Sequence, residues 1–235
     1  MYKMEREIYC SQIGEGDIIR NSALVDLLQD ASDLHLKYHP VMAPYFKETG
    51  CVMFLISRQL DILKRPQYGD RVEVKTWTYE LNRMYGFRNT VIYDRSGEIL
   101  VRSVAGGAFM DMSAGRPVRV PKELIERVPV YDRLDMEILP RKIAMPDREP
   151  DSITDVYVRR SDIDMYRHVN NARYFDIADE VAEGCREAKG LRAEYKTPLK
   201  YGDAVQARLY KEEGKTYVSV CSPEGKEYCL IEYLL

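Results

Sequence analysis

Two periodicities divide the chain. In RVEVKTW, residues 71–77, Val72, Val74 and Thr76 fall on one side of an extended backbone, with Glu73 and Lys75 on the other. That period of two marks a strand with one face buried. TYVSVCS, residues 216–222, alternates in the same way, with Tyr217, Ser219 and Cys221 set against Val218 and Val220. Two further stretches recur every three to four residues, the spacing of a helix with one apolar face. Leu24, Leu27, Leu28 and Ala31 form a stripe in a helix predicted over 21–36, with His35 on or beside it. Tyr174, Phe175, Ala178, Val181, Ala182 and Cys185 form a stripe in one predicted over 170–184. Asn21 or Ser22, and Asn170 or Asn171, are the predicted caps, since a side-chain oxygen there accepts from a first-turn amide. Gly184 is the predicted stop.

These elements occur in one order twice. YGDRVEVKTWTYE at 68–80 resembles YGDAVQARLYKEE at 201–213, and each follows a proline, Pro66 or Pro198. A hairpin tip follows each, DRSGEIL at 94–100 and SPEGKEYCL at 222–230, carrying the residues that turns favour. The YGD copies lie 133 residues apart. The helices, matched at Ala23 and Ala172, lie 149 apart, so the first copy holds about 16 extra residues, assigned to the segment KYHPVMAPYFKETG. One helix with a set of antiparallel strands is best accommodated by a curved sheet wrapped around that helix. The expected class is therefore α+β, with a module over 1–128, a second over 156–235, and between them a proline-rich linker, 129–155, contributing one short strand.

Composition narrows the function. Hydrophobic residues at 45% and charged residues at 31% describe an ordinary globular chain, and a net charge of −3 argues against a general nucleic-acid binder. No apolar run approaches the ~20 residues of a membrane span. The charged N-terminus MYKMEREIYCSQ lacks an apolar signal core, so a cytoplasmic protein is expected. Its five cysteines are scattered, without CxxC spacing. They imply neither zinc site nor disulfide framework, and no metal or organic cofactor is expected.

The chemistry gathers at SDIDMYRHVNNARYFD, residues 161–176, which holds one of only three histidines. First-turn amides of a helix lack internal partners and carry partial positive charge. Amides between His168 and Asn171 would polarise a carbonyl and stabilise an oxyanion. Asp164, four residues before His168, is the candidate base or nucleophile. His168 is the candidate for positioning or proton transfer. Of the others, His35 reads as core or rim packing, and His39 has no argued role.

DIDMYRHVNNARYFD resembles the signature of hotdog-fold thioesterases. The stretches LISRQLDILKRPQYGDRVEVKTWTYE (55–80) and DRSGEILVRSVAGGAFMDMSAGRPVRVP (94–121) resemble the first half of the acyl-[acyl-carrier-protein] thioesterases. The resemblance covers nearly the whole chain. It implies a tandem (double) hotdog whose modules pack sheet to sheet. The implied reaction releases free fatty acid from acyl carrier protein, the partner carrying the acyl chain on phosphopantetheine. Asp164 and His168 match the family's motif. Many members place an asparagine two residues before the histidine, where this chain has Tyr166, and a glutamate where it has Pro198. Tyr166, Asn170, Asn171 and Glu194 are therefore accessory candidates. Glu194 would compensate for Pro198 if it shares a strand face with it. In the first copy, GDIIRNSALVD supplies Asp17 but no histidine, so one site is expected, on the second helix, with the first module giving room for the acyl chain. The aromatic-rich segment 38–54 is expected to line or cap that room. Arg141-Lys142 and Arg159-Arg160 are candidate contacts for the acidic carrier. The alternatives are an acyl-CoA thioesterase of the same fold, or a catalytically weak acyl-thioester-binding protein, as a monomer or homodimer.

Overall fold

The computed structural model describes residues 1–235. The first half holds strand β1 (Tyr2–Glu7), helices α1 (Asn21–Tyr38) and α2 (Met42–Thr49), and strands β2 (Cys51–Ile62), β3 (Arg71–Leu81), β4 (Tyr85–Tyr93) and β5 (Ile99–Asp111). Two small elements close it, β6 (Arg116–Pro117) and α3 (Lys122–Glu126). The second half runs β7 (Ser152–Val156), α4 (Arg173–Val181), β8 (Gly190–Tyr195), β9 (Val205–Glu212), β10 (Lys215–Cys221) and β11 (Glu227–Leu234).

The strands form one sheet in the order β1-β3-β4-β5-β2-β8-β11-β10-β9-β7, with β6 paired to β5. Reading outward from the middle, each half gives the same sequence of counterparts, so the halves are related by a pseudo-twofold axis. Each curves around its own helix, the tandem hotdog expected. The modules do not stack face to face, as the sequence suggested. They join edge to edge through β2 and β8, from Ser57↔Glu194 to Asp61↔Gly190. The reason is physical: each central strand would otherwise expose an unpaired row of backbone donors and acceptors.

Both predicted stripes face the core, with Val181 only half-buried. Leu24, Leu28 and Ala31 of α1 and Phe175 and Ala178 of α4 are each at most 0% exposed and share one core with Leu60 and Leu191 of the seam. Burying each large apolar side chain contributes about 1.5–3 kcal/mol. Asn21 does not cap α1. It is buried, donating to Asp179 of α4 (3.1 Å) and accepting from Arg65 (3.0 Å), and so ties the two helices together. The second helix is shorter than the predicted 170–184. Asn170 holds the chain in a turn before Arg173, and Ala182 leaves the helical region at φ −99°, ψ 68°. The extra residues of the first copy form α2, where His39 Nδ1 accepts from the amides of Val41 (3.2 Å) and Met42 (3.3 Å).

Segment 129–151 crosses the outer face of the sheet. Its backbone meets the polar side chains there: Trp77 donates to the Asp132 carbonyl (2.8 Å), Asn89 accepts from Leu134 (2.9 Å), and Gln59 donates to Glu137 (2.8 Å) and accepts from Leu139 (3.0 Å). Buried polar groups on that face are thereby satisfied. It also explains why β10 is buried on both sides. Val218 and Val220 join the helix-side core, while Tyr217 packs with Ile143 of the crossing segment.

Candidate functional site

The site begins with a turn. Ile163 and Val169 form an antiparallel bridge, closed by Asp164 N donating to the His168 carbonyl (2.8 Å) and Arg167 N to the Asp164 carbonyl (3.0 Å). Arg167 takes φ 64° to complete it, a conformation uncommon outside glycine. Asp164 Oδ1 accepts from the amides of Tyr166 (2.8 Å) and His168 (3.2 Å). One carboxylate oxygen therefore builds the turn, and the other accepts no hydrogen bond from the protein. The turn brings Asp164 and His168 together through the backbone; their side chains are not hydrogen-bonded to each other.

Aromatic contacts fix the other side. The Phe54 ring meets Tyr166 edge-on at 5.7 Å and His168 at 6.2 Å. Phe54 lies on the part of β2 before Ser57, where pairing with β8 begins. Burial lowers the His168 pKa from its usual value, with Asp164 opposing and Lys200 adding to the fall. The imidazole is therefore neutral at pH 7. Burial, with Asp33 and Asp164 nearby, raises the Tyr166 hydroxyl, which stays a proton donor.

The expected oxyanion donors are mostly occupied. His168 N bonds Asp164, Val169 N donates to Leu199 (2.8 Å), Asn170 N to Asp162 (2.8 Å), and Ala172 N to Asn170 Oδ1 (2.8 Å). These amides are spent on holding the turn against the helix. Within 168–172 only the Asn171 amide has no protein acceptor. Asn171 is itself held at two points. Its Nδ2 donates to Gln29 of α1 (3.3 Å), and its carbonyl accepts from the Tyr195 hydroxyl (3.2 Å).

Glu194 stands apart, contrary to the sequence expectation. Its neighbours Ala193 and Tyr195 face the helix side, so the pleat turns Glu194 to the outer face. There it is 4% exposed, accepts from Ile143 N (3.0 Å) and lies 3.7 Å from Arg141. Pro198 lies beyond β8, so the regular strand face assumed for the pair does not exist.

The first half repeats the turn without its aspartate and histidine. Ile13↔Ile19 is the matching bridge, and Gly14 N donates to Ile18 O at 2.8 Å. Gly14 stands where Asp164 does, and Ile18 where His168 does, an offset of 150 rather than the 149 read from the helices. Asp17, at φ 59°, is the counterpart of Arg167 and not of Asp164.

Three charged residues were missed. Asp33 of α1 is exposed yet surrounded by protein, the mark of a residue in a concavity. Its carboxyl is raised mainly by burial, opposed by Arg88 and Arg58, with Asp30 and then Asp164 adding to the rise. Arg58 and Arg88 are buried at 3% and 8% exposure. Their signal was present: each shares strand parity with core residues, Arg58 with Leu60 and Ile62, and Arg88 with Ile92.

The family model described as Acyl-ACP thioesterase N-terminal domain matches residues 1–128, and that of the Acyl-ACP thioesterase C-terminal domain matches 146–234. The chain is 27% identical over 211 residues to the chloroplastic acyl-[acyl-carrier-protein] hydrolase FATB3 of Cuphea viscosissima, covering 83% of this chain and 51% of that protein. It is 24% identical over 242 residues to the chloroplastic oleoyl-acyl carrier protein thioesterase 2 of Arabidopsis thaliana, covering 93% and 65%. The chain thus spans about half to two thirds of these relatives. Among solved structures, the 12:0-ACP thioesterase from Umbellularia californica superposes with TM-score 0.86 at 19% identity, covering 99% of this chain and 96% of that one. An acyl-ACP thioesterase from Bacteroides thetaiotaomicron gives the same score and coverage at 16% identity.

Proposed function

The chain belongs to the acyl-ACP thioesterase family, and on that premise we propose that it hydrolyses a fatty acyl thioester on acyl carrier protein, releasing free fatty acid and holo carrier protein. One observation carries the proposal: the Asp164 carboxylate is fixed by two backbone amides through one oxygen only, next to a neutral imidazole. The thioester carbonyl sits between that carboxylate and the free Asn171 amide. Water attacks the carbonyl carbon while Asp164 takes one of its protons. The oxyanion is held by the Asn171 amide. When the carbon–sulfur bond breaks, the proton passes to the departing sulfur, with His168 as relay. A positioned base contributes about 10²–10⁴-fold, and one oxyanion donor about 10²–10³-fold.

Tyr166 supports this site through its contact with Phe54 and its raised hydroxyl. Asn170 and Asn171 act as positioning residues, Asn170 by holding the turn and Asn171 by anchoring it to α1. Arg159 and Arg160 stay candidates for the carrier, with Arg160 stacked 4.2 Å over Tyr201. Arg141 is partly engaged by Glu194. A cytoplasmic setting is part of the proposal, consistent with five free cysteines, four of them buried. No helix is long and apolar enough to cross a membrane.

The test is a thiol-release assay on acyl-ACP and acyl-CoA bearing the same chain. Turnover on the carrier, lost in Asp164→Asn, is the expected result. Equal or faster turnover of acyl-CoA would reassign the substrate. Pro198 and the outward Glu194 favour a second, non-hydrolytic reading, since no second carboxylate from β8 reaches the turn. Binding of acyl thioesters without thiol release would establish it.

A further inference from the structure

Between α1 and the sheet of the first module, where an acyl chain would be expected to find only apolar walls, lies a row of polar side chains. Arg88 of β4 and Arg58 of β2 are both cross-strand neighbours of Ala105 on β5. The two cations therefore flank one small residue, about 10 Å apart across two strand spacings. Arg88 donates to the Ser32 carbonyl (3.1 Å) and reaches Thr76 Oγ1 only at 3.5 Å. Arg58 Nε and Nη1 are fully buried and have no partner. Ser103 Oγ and His35 Nδ1 are also unpartnered, so four of the chain's five such buried side-chain atoms lie in this compartment. Asp33 is the carboxylate felt by both arginines, yet it ion-pairs with neither.

Unpaired buried charge is costly, and two like charges side by side are more so. Burial lowers both guanidinium pKa values, that of Arg88 to about 10, where Arg58 adds to the effect. An anion between them would satisfy the free donors and remove the repulsion. The approach from the turn runs past Asp33, whose carboxyl senses Asp164 as well as Arg88 and Arg58 and is sensed in turn by the Tyr166 hydroxyl. Arg88 also lines a cleft with Met53, Leu81 and Thr78 that has room for about one water (about 10 Å³).

We propose that Arg58 and Arg88 form an anion clamp for a carboxylate at the far end of the acyl chain, making ω-carboxyacyl thioesters a preferred substrate class. The clamp rests on the thioesterase reading above for its route but not for its binding. The experiment pairs adipyl- with hexanoyl-carrier protein, and free adipate with free hexanoate in thermal unfolding. Wild type is expected to favour the adipyl thioester at least ~10-fold in kcat/KM, and adipate alone to raise Tm in a saturable way. Arg58→Met is expected to collapse both the ratio and the Tm shift, while Arg58→Lys retains part of each. A Tm shift from adipate without hydrolysis of either thioester would sink the hydrolase reading and leave the clamp standing. Hydrolysis with a ratio near one, no adipate shift, and no change in Arg58→Met would overturn the clamp alone.

Discussion

Exchanging Asp164 for asparagine separates the two jobs of one carboxylate. Oδ1 holds the turn by accepting two amides, and asparagine keeps an acceptor oxygen at that place. Oδ2 is the proposed base, and asparagine puts an amide nitrogen there. The turn loses only the charge-assisted part of two partly exposed bonds, about 1 kcal/mol or less. For a chain of this size 1 kcal/mol moves Tm by about 2–4 °C. Asp164→Ala removes the acceptor altogether and leaves two amides short, costing about 1–3 kcal/mol. The expected pattern is a Tm within ~4 °C of wild type for Asp164→Asn and a clearly lower one for Asp164→Ala. Thiol release should fall about 10²–10⁴-fold in both. Differential scanning fluorimetry and single-turnover thiol release on the same preparations read the two axes. Wild-type turnover in Asp164→Asn would remove the carboxylate from the chemistry. Equal Tm losses in the two variants would mean that Oδ1 does not hold the turn.

Three further outcomes are expected. Burial pushes the His35 pKa down to about 3, so the unfolded chain binds the proton more readily. Stability from this group is complete above about pH 6.5 and falls as pH drops toward 3, by on the order of 4 kcal/mol in total. Urea unfolding from pH 7 to 4 should show a weaker acid loss in His35→Phe than in wild type; parallel curves would contradict it. Asp179, raised by burial to about 6, works in the opposite sense, so the difference between the two proteins is the quantity to read. Phe54→Ala should lower kcat/KM about tenfold or more by freeing the His168 and Tyr166 rings, and unchanged kinetics would show that the aromatic contact is idle. Leu191→Ala, a fully buried residue of the seam, should cost about 2–5 kcal/mol in chemical denaturation, and a loss below ~1 kcal/mol would mean that the seam repacks.

Much of the architecture was legible because period and repeat survive in a single chain. The stripe Leu24-Leu27-Leu28-Ala31 and the alternation at Val72 and Val74 are local patterns, and local patterns specify elements. The seam was not legible, since nothing in LISRQLDI or GLRAEY names its partner across more than a hundred residues. Asp164 and His168 were readable as a pair because the turn joining them spans only five residues. Glu194 was misplaced because its strand ends at Tyr195, one face away from the turn, and strand ends are poorly marked in sequence. Asp33, Arg58 and Arg88 come together only through the sheet and α1. Their hint was charge at positions of buried parity, which periodicity alone treats as noise.

The paired turns at Ile13–Ile19 and Ile163–Val169 have a consequence for how such a protein can change. Two identical subunits must alter both seats at once. A covalently joined pair is free to retire one seat and give its half another trade. Gly14 occupies the first-half seat at an ordinary negative φ, and an added Cβ there would press only on the flexible Arg20 side chain at 3.1 Å. The vacancy is one of side-chain choice rather than of backbone shape, so a working pair of residues can in principle be written back into it.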